Sequence, residues 1–221
     1  MIEPAKVLGI GLVAGGGLYA VGGMLHPRGS GDTKDAYIAS MLSQNSWAGS
    51  HLASCAGLVL IAVTLIATAR TSTFGLAGRT WIWAAAAGAG LGAAELLPHT
   101  AAASDLSHLE HGDSTPILDT HLLLQTVATP ALGLTTAALA VYVARQSQTG
   151  PARALAAIAV LCGVAYAFAG PLTAISEGVR FVVLFPASAG IALWYLGTGI
   201  RLLTRHTAPA APTAPAMEAV R

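Results

Sequence analysis

Residues 48–69 read AGSHLASCAGLVLIAVTLIATA, a run without a single Asp, Glu, Lys or Arg. An α-helix rises 1.5 Å per residue, so this run makes a rod of roughly 33 Å. A hydrocarbon core of about 30 Å is crossed by such a rod. Period-two alternation of polar and apolar residues is missing, which excludes a half-buried strand. Similar apolar runs occupy about 7–25, 80–98, 117–143, 154–175 and 181–203. The fold class expected is therefore an all-α integral membrane protein. It is a six-transmembrane-helix bundle (residues 1–205) with short extracytoplasmic interfacial helices and a disordered, Pro/Ala-rich cytoplasmic tail, 206–221.

Composition agrees with this. The chain has 221 residues, 54% hydrophobic and only 10% charged, where soluble domains carry about 25% charged residues. Its mean hydropathy is +0.65. A net charge of +1 gives no footing for nucleic acid. The lipid bilayer is the expected surround, and the Arg- and Ala-rich composition suits a bacterial plasma membrane. Cys55 and Cys162 fall in apolar runs at different depths, so no disulfide framework is expected. The first run is read as a span, because HPRGSGD after it has no small-x-small cleavage pattern.

Basic residues orient the bundle. Lys6, Arg70, Arg79, Arg145, Arg153, Arg201, Arg205 and Arg221 fall on one side, and Arg28, Lys34 and Arg180 on the other. The positive-inside rule then makes both termini cytoplasmic. Trp47, Trp81 and Trp83 stand where interfacial aromatics belong. Gly11 and Gly15 form a GxxxG face on the first span, suited to close helix packing, either with a membrane protein partner or as a homo-oligomer. Pro130 and Pro186 are expected to kink their spans, a feature shared with transporters built from broken helices.

Two outer connections promise short helices. Asp32 or Thr33 can cap a helix over 34–43 whose apolar face is Tyr37, Ile38, Met41 and Leu42. Ser104 can cap a second one that stops at Gly112, and Pro116 suits the first turn of the fourth span.

The chemistry concentrates at 95–121, ELLPHTAAASDLSHLEHGDSTPILDTH. This stretch carries His99, His108, His111 and His121 with Glu95, Asp105, Glu110, Asp113 and Asp119, and no Lys or Arg. On the expected topology six histidines reach the outer face, His26 and His51 included, and only His206 lies inside. Asp105, His108 and His111 follow at spacings of three and share a helix face. One carboxylate with two imidazoles suits zinc, copper or iron. A second set, His51, Glu95, His99 and His121, converges if spans two, three and four pack together. Glu95 lies a turn inside its span, where an ionisable group is costly unless paired or facing a polar cavity. His26, beside Pro27, reads as the end of span one.

The function expected from these sets is transition-metal binding, transfer or a redox step at the outer face. Three other readings stand beside it. One is a single b-type haem held by His51 and His121. Another is a non-enzymatic membrane subunit or small-molecule transporter, with the outer His and acidic residues a solvated surface. A nucleophile–base pair can also be drawn from Ser54 or Cys55 with His51. Walker-type, HExxH and CxxC patterns are all absent from the sequence, and no reaction is assigned.

Overall fold

In the computed structural model, residues 4–70, 76–147 and 149–205 are described, and every element among them is helical. The expected tail lies outside them. Eight α-helices follow in order: α1 Pro4–Leu25, α2 Lys34–Leu42, α3 Ser46–Arg70, α4 Leu76–Ala101, α5 Leu106–His111, α6 Pro116–Gln146, α7 Gly150–Ile175 and α8 Ser188–Arg205. Two 3-10 segments, Ala102–Asp105 and Arg180–Ala187, lead into α5 and α8.

Five stretches are long and apolar enough to cross a membrane: Ala5–Leu25, Ser46–Arg70, Pro116–Gln146, Gly150–Ile175 and Arg180–Thr204. The third expected span is α4, which is long enough but carries Arg79, Glu95, Pro98 and His99 and is not among the five. The polarity of the fold is inverted relative to a soluble protein. Ile10, Leu52, Val63, Leu123, Val127, Leu161 and Phe168 are exposed, whereas Ser50, His51, Glu95, His121, Gln125, Thr129 and Thr136 are buried. Water does not favour that arrangement, and hydrocarbon does. The chain thus has the helices and the surface of a membrane protein.

The six long helices close into a ring, α1 on α3, α3 on α4, α4 on α6, α6 on α7, α7 on α8 and α8 on α1. Small residues set the spacing. A Cβ on Gly15 or Gly57 would run into the backbone of the facing helix, so α1 and α3 touch at that pair. Gly22 sits as closely over Ser50 and Ser54, and Gly11 over Thr64. On the other flank of α1, Gly9 meets Gly199, and Gly16 meets Ala192 and Leu196 of α8. The GxxxG face expected to meet a partner is thus filled from within the chain. Gly133 and Gly163 join α6 to α7 in the same way. Leu58, Ile61, Leu132, Ile191, Trp194 and Tyr195 fill the interior, where the Tyr195 hydroxyl lies 3.1 Å from Thr136 Oγ1. Cys55 and Cys162 are free thiols.

A small cap covers the end of the ring where α1 stops. Thr33 caps α2, its Oγ1 accepting from Ala36 N at 3.2 Å. Ile38 and Met41 of that helix pack on Leu42, Trp47, Ala102 and Leu118. Lys34 Nζ donates to the Thr173 carbonyl at 3.1 Å and ties α2 to α7. Ser104 does not cap a helix. The path from α4 runs unbroken through the 3-10 segment into α5, and the Ser104 hydroxyl donates back to the Ala101 carbonyl at 2.8 Å. Gly112 ends α5 with φ 73°, while Asp113 N donates to His108 O and Gly112 N to Leu109 O. That is a Schellman stop, which a residue without a Cβ adopts at least cost.

Candidate metal centre

Four long segments bring imidazoles or carboxylates to one level near the capped end of the ring. His26 follows the last turn of α1, and its Nδ1 lies 2.8 Å from the Pro27 carbonyl. His51 stands in the second turn of α3, its Nδ1 2.6 Å from the Trp47 carbonyl. A carbonyl only accepts, so each Nδ1 carries the proton and each neutral ring turns its Nε2 lone pair elsewhere. The same arrangement, a backbone carbonyl fixing the tautomer from behind, orients metal-binding histidines generally. Burial holds the His26 imidazole below its ordinary pKa and hence in the neutral form that has a lone pair to offer.

Glu95 and His99 are four apart on α4, which runs on through Pro98 to Ala101, so the two side chains share a face. His99 Nδ1 is 3.3 Å from Glu95 Oε1. From α6, His121 brings Nδ1 to 2.5 Å from the same oxygen. The pair lacks the alignment of a hydrogen bond. His51 Nε2, Glu95 Oε1 and His121 Nδ1 are all buried and have no hydrogen-bond partner among the described residues. Their residues are 2%, 5% and 4% exposed. Buried polar atoms are otherwise almost always hydrogen-bonded, so the bare His51 Nε2 and the unaligned Glu95–His121 contact leave room for a further partner.

The rings crowd together. His99 stacks on His121 with centroids 3.6 Å apart, and lies 4.0 Å from His51 on its other side. His26 meets His51 at 4.8 Å. Trp47 roofs them, 4.2 Å from His51 and 5.0 Å from His99. Among the described residues two triads could hold a metal ion: His26, His51 and His99, and Glu95, His99 and His121, each with its donor atoms within 4.8 Å of one another. Metal–nitrogen bonds of about 2.0–2.1 Å put donors across an ion about 4 Å apart, so small side-chain rotations suffice.

Of the residues named from sequence, the structure brings together His51, Glu95, His99 and His121. Asp105 is elsewhere: its Oδ2 accepts from Ile117 N at 2.8 Å and Leu118 N at 2.9 Å, holding the first turn of α6. His108 and His111 lie exposed on α5, and His111 Nδ1 bonds back to the Ser107 carbonyl at 2.6 Å. The two rings considered for haem, His51 and His121, face each other across His99. His51 makes no hydrogen bond to Ser54 or Cys55, whose Sγ donates to the Ala93 carbonyl at 3.5 Å. Sequence reading gave His26 as the end of span one and Trp47 as an interfacial aromatic, and placed neither in the site. The available signal was depth, since both stand level with His51 and His99 on the expected topology.

Comparison with protein-family models, with curated proteins and with solved structures finds no match to this chain.

Proposed function

We propose that this chain is a six-span protein of a bacterial plasma membrane, both termini cytoplasmic, that binds a transition-metal ion inside the outer end of its bundle. Copper, zinc or iron suits a donor set of imidazoles and one carboxylate. The observation that carries this reading is the convergence of three buried donors, on His51, Glu95 and His121, that make no hydrogen bond among the described residues, beside His99. An ionisable Glu95 at that depth is expensive alone and favourable against a cation. The inverted polarity of the ring supports the six spans, α4 being walled by α3 and α6. A compact ion fits the stacked rings better than a porphyrin, for which His99 leaves no gap between His51 and His121.

Elemental analysis and an absorbance scan test this on protein purified in mild detergent, without chelator or nickel resin. About one copper, zinc or iron per chain is expected, lost on replacing His51, His99 and His121 together by alanine. Metal-free protein that stays empty after incubation with each ion would sink the proposal, and a Soret band would replace the ion with haem.

A further inference from the structure

The five donors do not form one shell. His26 and His51 group with His99, and Glu95 and His121 group with His99, each triad within 4.8 Å, with His99 the sole residue common to both. Exposure differs between the two. His26 and His99 are half-buried around a buried His51, whereas Glu95 and His121 are both buried. His26 is the first residue of the connection between α1 and α2. Glu95 lies one helical turn deeper than His99 along α4.

Resting on the metal-binding reading above, we propose that the two triads are successive seats for a single ion. The outer seat (His26, His51, His99) admits it, and the inner seat (Glu95, His99, His121) keeps it. Charge sets the direction. The outer donors are three neutral imidazoles, while the inner seat has the one carboxylate of the cluster, and a cation in a low-dielectric interior gains most beside an opposite charge. Charge also sets the number. Two dications in adjoining seats would face one carboxylate between them, so double occupancy is disfavoured.

The passage is a ligand exchange. Each triad leaves a tetrahedral ion one open position, so a donor of the second seat bonds before a donor of the first lets go. Metal–nitrogen bonds to His26 and His51 break, and bonds to a Glu95 oxygen and a His121 nitrogen form. His99 stays bound throughout. No electron moves, and Glu95 holds the ion as a carboxylate.

Cobalt(II) is the probe, because its visible bands report its ligand set. The full chain in detergent is titrated with Co²⁺ at equilibrium and then mixed with it in stopped flow. Wild type is expected to bind one Co²⁺. His26→Ala is expected to reach the same final spectrum at least about tenfold more slowly. Glu95→Gln is expected to bind one Co²⁺ with an altered spectrum, and adding His26→Ala to it should abolish binding. His26→Asn, run in parallel and checked by size exclusion, separates a lost ligand from a packing fault. Two Co²⁺ per wild-type chain would overturn the single-ion relay in favour of a dinuclear centre. A changed equilibrium spectrum in both His26 variants would merge the seats into one, and unchanged loading in both would remove His26 from the path. Failure of wild type to bind Co²⁺, zinc or copper would instead overturn the metal reading itself.

Discussion

The indole N–H of Trp47 donates to the backbone carbonyl of His99 across 3.1 Å, fastening the first turn of α3 to the last turn of α4. Trp47 is 3% exposed and its ring covers His26, His51 and His99. It therefore ties two walls together and lies against the three imidazoles. Trp47→Phe keeps a ring and loses the bond, and should cost about 1 kcal/mol. Trp47→Ala opens a cavity over the donors and should cost about 3–5 kcal/mol. Thermal unfolding in detergent compares them, and equal losses would show that Trp47 does not act as a roof.

His108 and His111 stand on the exposed side of α5, away from the buried donors. Replacing both by alanine should leave metal content at the wild-type value and shift stability by less than about 0.5 kcal/mol. Replacing His51 and His121 should weaken binding by at least about 100-fold, equivalent to about 2.7 kcal/mol. Competition with a coloured chelator measures both. Loss of metal from the α5 variant alone would move the site to the surface stripe.

Glu95→Gln should separate stability from binding. Without metal, Glu95 Oε1 is buried and makes no aligned hydrogen bond among the described residues, although imidazole nitrogens of His121 and His99 lie 2.5 and 3.3 Å away; an amide can donate to such a nitrogen, where a carboxylate oxygen only accepts. The amide should therefore raise the melting temperature of the metal-free protein, by the equivalent of about 1 kcal/mol. With saturating metal the order should reverse, since an ion at 100 times its Kd contributes about 2.7 kcal/mol and the variant forfeits part of this. Melting curves with and without chelator decide it, and a variant less stable than wild type in chelator would contradict the unsatisfied oxygen.

The two faces of α1 make a paired test. A Cβ at Gly22 would collide with Ser54 and the backbone of Ser50, whereas one at Gly17 would meet nothing within 4 Å. Gly22→Leu should push α1 off α3, move His26 from the cluster one turn above, and lower both stability and metal loading. Gly17→Ala should be neutral or stabilising by up to about 1 kcal/mol through helix propensity. Equal effects at the two positions would mean that α1 is not seated against α3 as described.

Much of the architecture is readable from local signals. The uncharged run over 48–69 and its counterparts give the long helices, Thr33 gives the start of α2, and Pro116 the start of α6. The i,i+4 spacing of Glu95 and His99 already places them on one face. Asp105 is harder. Its spacing of three to His108 puts it on a common stripe only if α-helical winding continues, and a 3-10 segment ends at Asp105 instead. The free N–H groups at the start of α6 then claim its carboxylate. His26 is hidden for another reason. Which way it faces depends on the rotation of α1 about its own axis, and glycines on both flanks give that helix no polar stripe to betray its inner side.

The ring has an order of manufacture. All five donors, from His26 to His121, are on the chain before α7 is made, yet the wall beside α1 is supplied by α8, the last helix of the ring. Until then Gly9 and Gly16 face lipid, or whatever lies alongside, through the groove that α8 later fills. A nascent bundle therefore has its complete set of donors while one wall still stands open. Closing that wall is a late step of biogenesis, and a chain cut short before α8 would keep every donor and lose the enclosure.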